Sequence, residues 1–404
     1  MTSEWKTSPL RDLVGFISKG IAPSYADEES ETTVRVLNQK CNRNFRITYS
    51  ESRLHDLARK KVPAERFVRI DDILINSTGA GTAGRIAQIC NLPCDTIVDG
   101  HMIIIRANDK VSQKYLGYAM KAHQWEVLQL DEGSTGQTEL NRERLLDEIM
   151  ISYPPSFALQ ETIVKTLEGI DRKLLINEKV NDNLQQQAAA IFRSWFVDYV
   201  PFGGTVPGEW KNVTLEDITT LVSRGITPKY ADDTGQIVIN QKCIRNHMID
   251  LSFARSHRPK VINNKWLQFG DLLINSTGDG TLGRAAQVWF QPHNLTVDSH
   301  VTIVRPAAEN MIFYIGLWGT QHEKEIESLH TGSTGQTELP RDRVKAIELL
   351  LPDKETLERF NALIAPMAAA IVSNQEENNR LASIRDALLP KLMSGKIDVS
   401  AIQL

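Results

Sequence analysis

Cysteine is scarce in this sequence, and no apolar run is long enough to cross a membrane. The four cysteines are Cys41, Cys90, Cys94 and Cys243. The spacing of Cys90 and Cys94 has no second pair to complete a zinc site, so we expect reduced thiols that serve packing. An N-terminal charged-plus-apolar signal is also missing. These absences predict a cytoplasmic protein without a bound metal.

The motifs of several enzyme classes are absent as well. The chain has no P-loop, no methyl-donor glycine motif, no G-x-S-x-G elbow and no convincing nuclease set of carboxylates and lysine. We therefore expect a chain with no catalytic residues and no cofactor of its own.

A basic composition is missing too, because 46 Lys and Arg against 50 Asp and Glu give a formal charge of -4. The distribution along the chain is uneven. Residues 35–69 contain ten basic and three acidic side chains, and residues 242–265 contain six and one. Local basic surfaces of this kind neutralise phosphates, with an ordinary solvated face as the alternative.

What the sequence does contain is an internal duplication. The octapeptide GSTGQTEL occupies residues 133–140 and again 332–339, 199 positions later. DILINSTGAGTAGR (72–85) returns as DLLINSTGDGTLGR (271–284), with 11 of 14 positions identical. Two similar modules imply two similar tasks about a pseudo-twofold axis, and duplex DNA is a ligand with that symmetry.

Each half is predicted to be a β-rich mixed module followed by a long helix. Short β-branched runs at 33–37, 73–75, 96–98 and 102–106 indicate strands, and helices are expected near 113–130 and 311–329. Apolar residues then recur at alternating spacings of four and three, from Ile163 to Trp195 and from Phe360 to Leu392. This is the pattern of a coiled coil, and about 36 helical residues would be roughly 54 Å long.

Paired asparagines interrupt both apolar seams at matching layers. They are Asn177, Asn181, Asn374 and Asn378. A buried Asn lowers stability but fixes the helix register, because it is satisfied only opposite a suitable partner. We therefore expect the two long helices to pack on each other, antiparallel. Pro366 should kink the second helix or mark a restart.

Two glycine-rich loops, 79–84 and 278–283, match G-x-G-x-x-G after an apolar strand. A dinucleotide site would need a helix next, but short strand-like stretches follow, so we predict a β-loop-β hairpin. A plain glycine turn is the alternative to a loop that carries polar side chains to DNA. The candidate DNA-binding residues here are Ser77, Thr78, Thr82 and Arg85, and in the second copy Ser276, Thr277, Thr281 and Arg284.

The octapeptide is small and polar, as an exposed loop is. Its glutamines suit adenine edges and its hydroxyls suit phosphates, while a cap for the following helix is the alternative. The Asn-Gln-Lys triplets at the start of the basic stretches suit the same contacts, with a buried polar turn as the alternative. The candidates are Ser134, Thr135, Gln137, Thr138, Ser333, Thr334, Gln336 and Thr337 in the octapeptides, and Asn38, Gln39, Lys40, Arg43, Arg46, Asn240, Gln241, Lys242 and Arg245 in the basic stretches.

Asp99-x-His101 and Asp298-x-His300 place both side chains on one face of a predicted strand. A Ser-His-Asp arrangement would need Ser77 on a nucleophile elbow, which the sequence lacks. A structural Asp–His pair is therefore the favoured interpretation.

Together these features resemble the specificity subunit of type I restriction-modification systems, over the whole chain. The local marks are the Asp-x-Leu-Ile…Gly…Gly-Arg and Gly-Ser-Thr-Gly-Gln segments, the helix entry Tyr-Pro-Pro…Gln160-x-x-Ile163, and the run from Leu174 to Phe196. The second copy departs from the helix entry, because Leu357-Glu358-Arg359-Phe360 stands where Gln-x-x-Ile would be.

The resemblance implies an α+β fold with two repeated mixed α/β target recognition domains, separated by two long helices that form an antiparallel coiled coil with pseudo-twofold symmetry. The expected boundaries are 1–155 and 201–352 for the recognition domains, 156–200 for the central conserved helix and 353–404 for the C-terminal conserved helix. It also implies that each recognition domain reads half of a bipartite double-stranded DNA site. The helices would set the spacer.

The partners implied by the resemblance are two methyltransferase subunits, which bind S-adenosylmethionine and methylate adenine, and restriction subunits that hydrolyse ATP with Mg²⁺. Because the two modules are so alike, we further expect a nearly palindromic target. The alternatives are a stand-alone DNA-acting enzyme that uses the Asp–His pair and a scaffold whose coiled coil joins partner proteins.

Overall fold

The structure is a computed structural model that describes residues 5–79, 81–132, 139–232, 234–258, 261–332 and 337–399. The chain divides into two compact units, Met1–Leu174 with Asn379–Leu404, and Leu175–Asn378. Each unit therefore holds one copy of the module together with one half of each long helix. Among the described residues, no helix is long and apolar enough to span a membrane.

The first copy of the module consists of short strands and short helices that lead into a long helix. Its elements are β1 Lys6–Pro9, β2 Val14–Lys19, β3 Tyr25–Ala26, β4 Thr33–Leu37, β5 Asn42–Arg43, β6 Arg46–Ile47, β7 Arg53–Asp56, β8 Ile73–Asn76, β9 Ile86–Gln88, β10 Thr96–Val98, β11 Met102–Ala107, α1 Gln113–Ala122, α2 Gln124–Val127, β12 Asp131–Glu132, β13 Glu139–Leu140, α3 Arg142–Glu148, β14 Met150–Tyr153 and α4 Phe157–Phe196. The strands predicted from β-branched runs are present as β4, β8, β10 and β11, and the predicted helix forms as α1 and α2.

The second copy repeats this order closely. Its elements are β15 Lys211–Thr214, β16 Thr219–Arg224, β17 Ile237–Ile239, β18 Ile244–Arg245, β19 Met248–Ile249, β20 Arg255–Ser256, β21 Leu272–Asn275, β22 Ala285–Gln287, β23 Leu295–Val297, β24 Val301–Pro306, α5 Ile312–Gln321, α6 Glu323–Ser328, α7 Arg341–Lys345, β25 Glu348–Leu351 and α8 Lys354–Met393. The duplication seen in the sequence is therefore a duplication of the fold.

The central sheet of each module has its most apolar strand in the interior. The order is β2-β11-β8-β9 in the first copy and β16-β24-β21-β22 in the second, with every pairing antiparallel. Side chains alternate across the sheet, so Ile103 and Ile105 join one apolar cluster while Met102 and Ile104 join another. A continuous apolar strand is thus covered on both faces.

The glycine-rich segments are hairpins, as predicted. Strands β8 and β9 pair antiparallel on either side of loop 79–84, and β21 and β22 do so on either side of loop 278–283. No helix begins at either loop, because the residues that follow are paired strand residues. The loop is therefore held by sheet pairing at both ends.

Strand pairing also explains why distant polar residues meet. Strands β4 and β10 are parallel neighbours, so the residues that follow them, Asn38 and Asp99, lie at the same edge. The antiparallel pairing of Asn76 with Met102 places the end of β8 beside the start of β11. Three chain segments distant in sequence are thus brought to one edge of the module.

The long helices α4 and α8 have 40 residues each, or about 60 Å at 1.5 Å per residue. Within the second unit, Asn177 Nδ2 donates to Asn378 Oδ1 at 2.9 Å, and Asn374 Nδ2 donates to Asn181 Oδ1 at 2.8 Å. Residue numbers rise along one helix as they fall along the other, which confirms the predicted antiparallel pairing.

Pro366 does not restart the second helix, contrary to one prediction from the sequence. Helix α8 continues through this residue from Lys354 to Met393. Pro366 lies on the exposed side of the helix, while Ile364 and Ala368 are buried. Packing of the buried side holds the helix together where proline removes one backbone donor.

The entry into each long helix uses a different device. Gln160 is fully buried; its Oε1 accepts from Ser112 N at 2.8 Å and its Nε2 donates to Pro154 O at 3.0 Å. In the second copy, Asp353 Oδ1 instead accepts from Thr356 N at 2.9 Å, and Asp353 Oδ2 accepts from Trp210 Nε1 at 3.1 Å. The missing glutamine noted in the sequence is thus replaced by an aspartate cap.

Candidate nucleic-acid interface

A small group of polar side chains, here called the polar cluster, occupies the module edge where the strands converge. In the first copy it consists of Gln39, Thr78 and His101. Thr78 Oγ1 lies 2.7 Å from His101 Nδ1 and donates to Gln39 Oε1 at 3.4 Å. A hydroxyl has one proton, so donation to Gln39 requires His101 Nδ1 to donate to Thr78. In this tautomer Nε2 of the exposed His101 ring is an acceptor.

The polar cluster is reproduced in the second copy by Gln241, Thr277 and His300. Thr277 Oγ1 lies 2.7 Å from His300 Nδ1 and donates to Gln241 Oε1 at 3.3 Å. Agreement within about 0.1 Å at both sites shows that the duplication preserved the geometry of these groups as well as the fold.

The glycine loop packs directly against the polar cluster. A Cβ on Gly79 would lie 2.8 Å from Gln39 Oε1, and a Cβ on Gly278 would lie 2.8 Å from Gln241 Oε1. Both glycines also have φ above 100°, which other residues rarely adopt. Arg85 Nη2 donates to the carbonyl oxygen of Gly81 at 3.1 Å, so the arginine at the loop's end is held against it.

The flanks of the octapeptide lie beside the same groups. Thr78 bridges Glu139, and Leu140 N donates to Ser77 O at 2.7 Å. Thr277 bridges Glu338 in the second copy. The candidates Ser134, Thr135, Gln137, Thr138, Ser333, Thr334 and Gln336 lie outside the described residues, whereas Thr337 is described and half-buried.

The alternative role of the octapeptide, as a helix cap, is filled by another residue in the first copy. Asn141 Oδ1 accepts from the backbone of Glu143 at 3.0 Å and of Arg144 at 3.1 Å at the start of α3. The cap therefore falls one residue after the octapeptide, and Glu139 is a strand residue.

A basic hairpin adjoins the polar cluster in each copy. Asn38 Oδ1 accepts from Lys40 N at 2.8 Å, which turns the chain into β5 and leaves the Lys40 side chain exposed. Arg43 pairs with Arg46 across a two-residue turn. The second copy has Asn240, Lys242 and Arg245 at these places, with Asn240 Oδ1 accepting from Lys242 N at 2.9 Å.

Both hairpin turns use non-glycine residues in the left-handed region. Asn44 and Phe45 have φ of 51° and 60°, and Asn246 and His247 have φ of 50° and 58°. This is a type I′ turn, for which glycine is usual, so the aromatic side chains are held there at a conformational cost. Asn42 Nδ2 donates to Arg85 O at 2.9 Å and fastens the first hairpin to the glycine loop.

Two candidates from the sequence are not at the surface. Ser77 and Ser276 are fully buried, and Ser276 Oγ shares a hydrogen bond of 2.5 Å with Thr302 Oγ1. Each serine directly follows a strand whose residues are buried on both faces, so its side chain is buried as well. The structure assigns these two serines to the core.

The Asp-x-His motifs lie in turns between strands, since β10 ends at Val98 and β11 begins at Met102. Asp99 Oδ1 accepts from the backbone N–H of His101 at 2.9 Å, and Asp298 does the same for His300. The pairing is therefore through the backbone, and the histidine rings belong to the polar clusters. The sequence had assigned these histidines to a structural pair and so missed their exposed position.

Burial raises the pKa of Asp99 and of Asp298, with the hydrogen bond from the following histidine backbone acting in the opposite direction. Each carboxyl group thus sits behind the polar cluster in a partly desolvated position. Its role is to shape the turn that presents the histidine.

An arginine stacked on a tyrosine is a second feature that the sequence reasoning missed. The guanidinium of Arg53 lies 3.4 Å from the ring centroid of Tyr25, and that of Arg255 lies 3.7 Å from Tyr230. Both arginines are exposed. The available signal was that Tyr25 and Tyr230 end two similar segments, GIAPSY (20–25) and GITPKY (225–230). Stacking of this kind holds a cation in a fixed position.

Comparison with known proteins identifies the family. The model described as "Type I restriction modification DNA specificity domain" matches residues 2–186. The type I restriction enzyme MjaIX specificity subunit of Methanocaldococcus jannaschii is 26% identical over 320 residues, covering 73% of this chain and 71% of that protein. The chain belongs to the type I specificity-subunit family.

One further related protein and one crystal structure are also similar to this chain. The HindI specificity subunit of Haemophilus influenzae is 22% identical over 320 residues, covering 60% of this chain and 68% of that protein. The crystal structure of the type I restriction-modification S subunit from M. genitalium is 14% identical with a TM-score of 0.58, covering 98% of this chain and 97% of that one. The latter similarity supports the fold.

As a specificity subunit, the chain serves DNA recognition and is not itself an enzyme, because in this family catalysis resides in the methyltransferase and restriction subunits. A specificity subunit accordingly needs no cofactor of its own. Neither a stand-alone enzyme nor a simple scaffold is favoured by any of these similarities.

Proposed function

We propose that each module of this specificity subunit binds one half of a bipartite DNA site through its polar cluster, glycine loop, octapeptide and basic hairpin. The observation that carries this proposal is the recurrence of the polar cluster in both copies, with the same hydrogen bonds around Thr78 and Thr277. The recognition domains are taken as 1–155 and 201–352, joined by helices within 156–200 and 353–404.

We propose that some of these side chains contact base edges and that others contact the DNA backbone. Amide and imidazole groups suit base edges, which carry sequence information, so Gln39 and His101 with their counterparts are proposed to read bases. Lys40, Arg43 and Arg85, together with Lys242, Arg245 and Arg284, are proposed to bind phosphates. The glycines allow the loop to approach the duplex without a side chain in the way.

The target is proposed to be nearly palindromic. Two modules with the same polar cluster would read the same bases on opposite strands if pseudo-twofold symmetry relates them. The basic hairpins differ, however, because Asn42 and Phe45 of the first copy correspond to Ile244 and His247 of the second. We assign any difference between the two half-sites to this hairpin.

The specificity-subunit family implies assembly with methyltransferase subunits, and we propose that two of them bind this chain, one for each recognition domain. They supply S-adenosylmethionine and methylate adenine in each half-site. ATP and Mg²⁺ belong to restriction subunits, which we propose as further members of the assembly.

Mapping methylated adenines across the genome, with and without this gene, tests the proposal. The expected result is loss of methylation at one bipartite motif whose halves are the same or differ at one or two bases. An unchanged map in cells that express the chain would contradict the function. A lost motif with unrelated halves would contradict the near-palindrome while leaving the recognition role intact.

A further inference from the structure

The two long helices share their length, their heptad spacing and their asparagine layers, but most of their side chains differ, including the charged residues Asp171 and Arg385. The helices begin 197 residues apart, at Phe157 and Lys354, and both run for 40 residues. Residues of α4 therefore have equivalents in α8, and residues of α1 have equivalents in α5, 199 positions later. These offsets allow the packing of one unit to be compared with that of the other, position by position.

In the first unit, the helix pair carries a charged network. Asp171 of α4 accepts from Arg385 Nη1 of α8 at 3.0 Å and from the hydroxyl of Tyr118 at 2.9 Å. Lys121 Nζ lies 3.5 Å from the same carboxylate. The side chains of Asp171, Arg385 and Lys121 are 27%, 16% and 11% exposed, so the network is largely withdrawn from water.

The equivalent place in the second unit carries no charge. The position of Asp171 is taken by Ala368, and that of Arg385 by Ala188. Both alanines are buried and belong to the apolar cluster of the second unit. Leu317 and Thr320 replace Tyr118 and Lys121, and Leu317 packs in the same apolar cluster. One end of the helix pair is thus matched by opposite charges and the other by two small apolar residues.

This asymmetry distinguishes the pair of unlike helices, α4 with α8, from pairs of like helices, α4 with α4 or α8 with α8. If α4 paired with α4 of a second copy in the same antiparallel register, Asp171 would face Ala188 instead of Arg385. If α8 paired with α8, Arg385 would face Ala368, with Leu317 and Thr320 nearby. Each like pair would contain the mismatch twice. Asp171 would keep Lys121, and Arg385 would keep Asp386, but each would lose its partner on the facing helix, which is unfavourable in a place largely withdrawn from water. The unlike pair contains no mismatch.

The hydrogen bonds between asparagines do not make this distinction. Asn177 faces Asn378, and Asn181 bonds Asn374. In a pair of two α4 helices, Asn177 would face Asn181, which is again an asparagine opposite an asparagine. The asparagine pairs therefore specify orientation and register. At this layer only Glu377 distinguishes the partner, because its Oε2 accepts from Asn177 Nδ2 at 2.7 Å and Val180 takes its place in α4.

We propose that the Asp171–Arg385 ion pair selects pairing of the two unlike helices of one chain and disfavours pairing of like helices from two copies. The two helices have the same length, heptad spacing and asparagine positions, and these shared features do not by themselves select the unlike pair. A mismatched charge is a common way to exclude an unwanted partner at a small cost in stability.

Refolding of mixed full-length chains tests the proposal. Two copies with different affinity tags are denatured, mixed and refolded at several concentrations, and the fraction that carries both tags is measured by native mass spectrometry. The variant Asp171→Ala/Arg385→Ala gives the first unit the same alanine pair as the second. Its fraction of mixed oligomers is expected to rise about tenfold above that of the original chain, because the mismatch in like pairs is removed.

The matched control is Arg11→Ala/Asp147→Ala, which removes an exposed ion pair of the same unit in which neither residue belongs to a long helix. It is expected to refold like the original chain. The milder variant Asp171→Asn/Arg385→Gln removes the charges while keeping polar side chains for Tyr118, and it decides the question if the alanine variant does not fold. Folded variants of the Asp171 and Arg385 positions that mix no more than the control would overturn the proposal.

Discussion

Replacement of Lys40 and Lys242 by alanine should weaken DNA binding and make the affinity less dependent on salt concentration. Each lysine is exposed and follows the same turn, in which its backbone N–H, rather than its ammonium group, donates to Asn38 or Asn240. Truncation at Cβ therefore leaves the hydrogen bonds of the turn intact. A loss of affinity can then be attributed to the missing charge.

The magnitude follows from counterion release. A phosphate contact contributes about 0.9 to the slope of log K against log salt concentration, so each single variant should lower the slope by about 0.9 and the double variant by about 1.8. The slope is measured by fluorescence anisotropy with a labelled duplex that contains the mapped site, over a series of KCl concentrations. Sequence preference should change little, because phosphates carry no base identity.

Lys110 provides the matched control. It also follows an asparagine turn, in which Asn108 Oδ1 accepts from its backbone N–H at 3.0 Å, and it is exposed. It lies beyond the opposite end of β11 from His101, so Lys110→Ala should leave the slope unchanged. If the double variant keeps the original slope while its circular dichroism is normal, the basic hairpins do not bind phosphate and the proposed interface is wrong.

Two other substitutions probe the glycine loop and the turn behind the polar cluster. Gly79→Ala should destabilise the loop by about 1–3 kcal/mol and impair DNA binding, since its Cβ would collide with Thr82 Oγ1, would lie 2.8 Å from Gln39 Oε1, and φ is 114°. Denaturant unfolding and anisotropy measure the two effects. Asp99→Asn should make folding less dependent on pH. Burial raises the pKa of Asp99, so the folded state holds the proton more tightly than the unfolded state, and the stability of the original chain falls as pH rises through that raised pKa. Unfolding at acidic and neutral pH should show the variant gaining stability only at neutral pH.

The predictions for Gly79→Ala and Asp99→Asn each have an outcome that would contradict them. Gly81 also has a positive φ of 68°, but none of the described atoms lies within 4 Å of the place that a Cβ would take, so Gly81→Asn should be tolerated. Equal damage at both glycines would show that loop flexibility, and not the contact with Gln39, is what matters. For Asp99→Asn, an unchanged pH profile would mean that the buried carboxyl group does not titrate differently in the folded state.

Several elements of the fold and their duplication can be predicted from the sequence. Strands β4, β8, β10 and β11 follow from β-branched runs, the hairpin around loop 79–84 from the strand-like stretch after the glycines, and the antiparallel helix pair from the heptad seam with its asparagines. These are properties of short segments or of exact repetition, and both can be read without knowing which segments meet.

Which polar residues lie together depends on the tertiary structure. Gln39, Thr78 and His101 meet because β4 pairs with β10 and β8 pairs with β11, and no periodicity in the sequence records those pairings. Ser77, although adjacent to Thr78, is fully buried. Arg385 occupies a position of the α8 seam at which α4 has Ala188, and the fold places its Nη1 3.0 Å from Asp171 Oδ1. The contribution of a polar or charged residue to stability or binding depends on its neighbours and on its exposure to water, and both are set only when the chain folds.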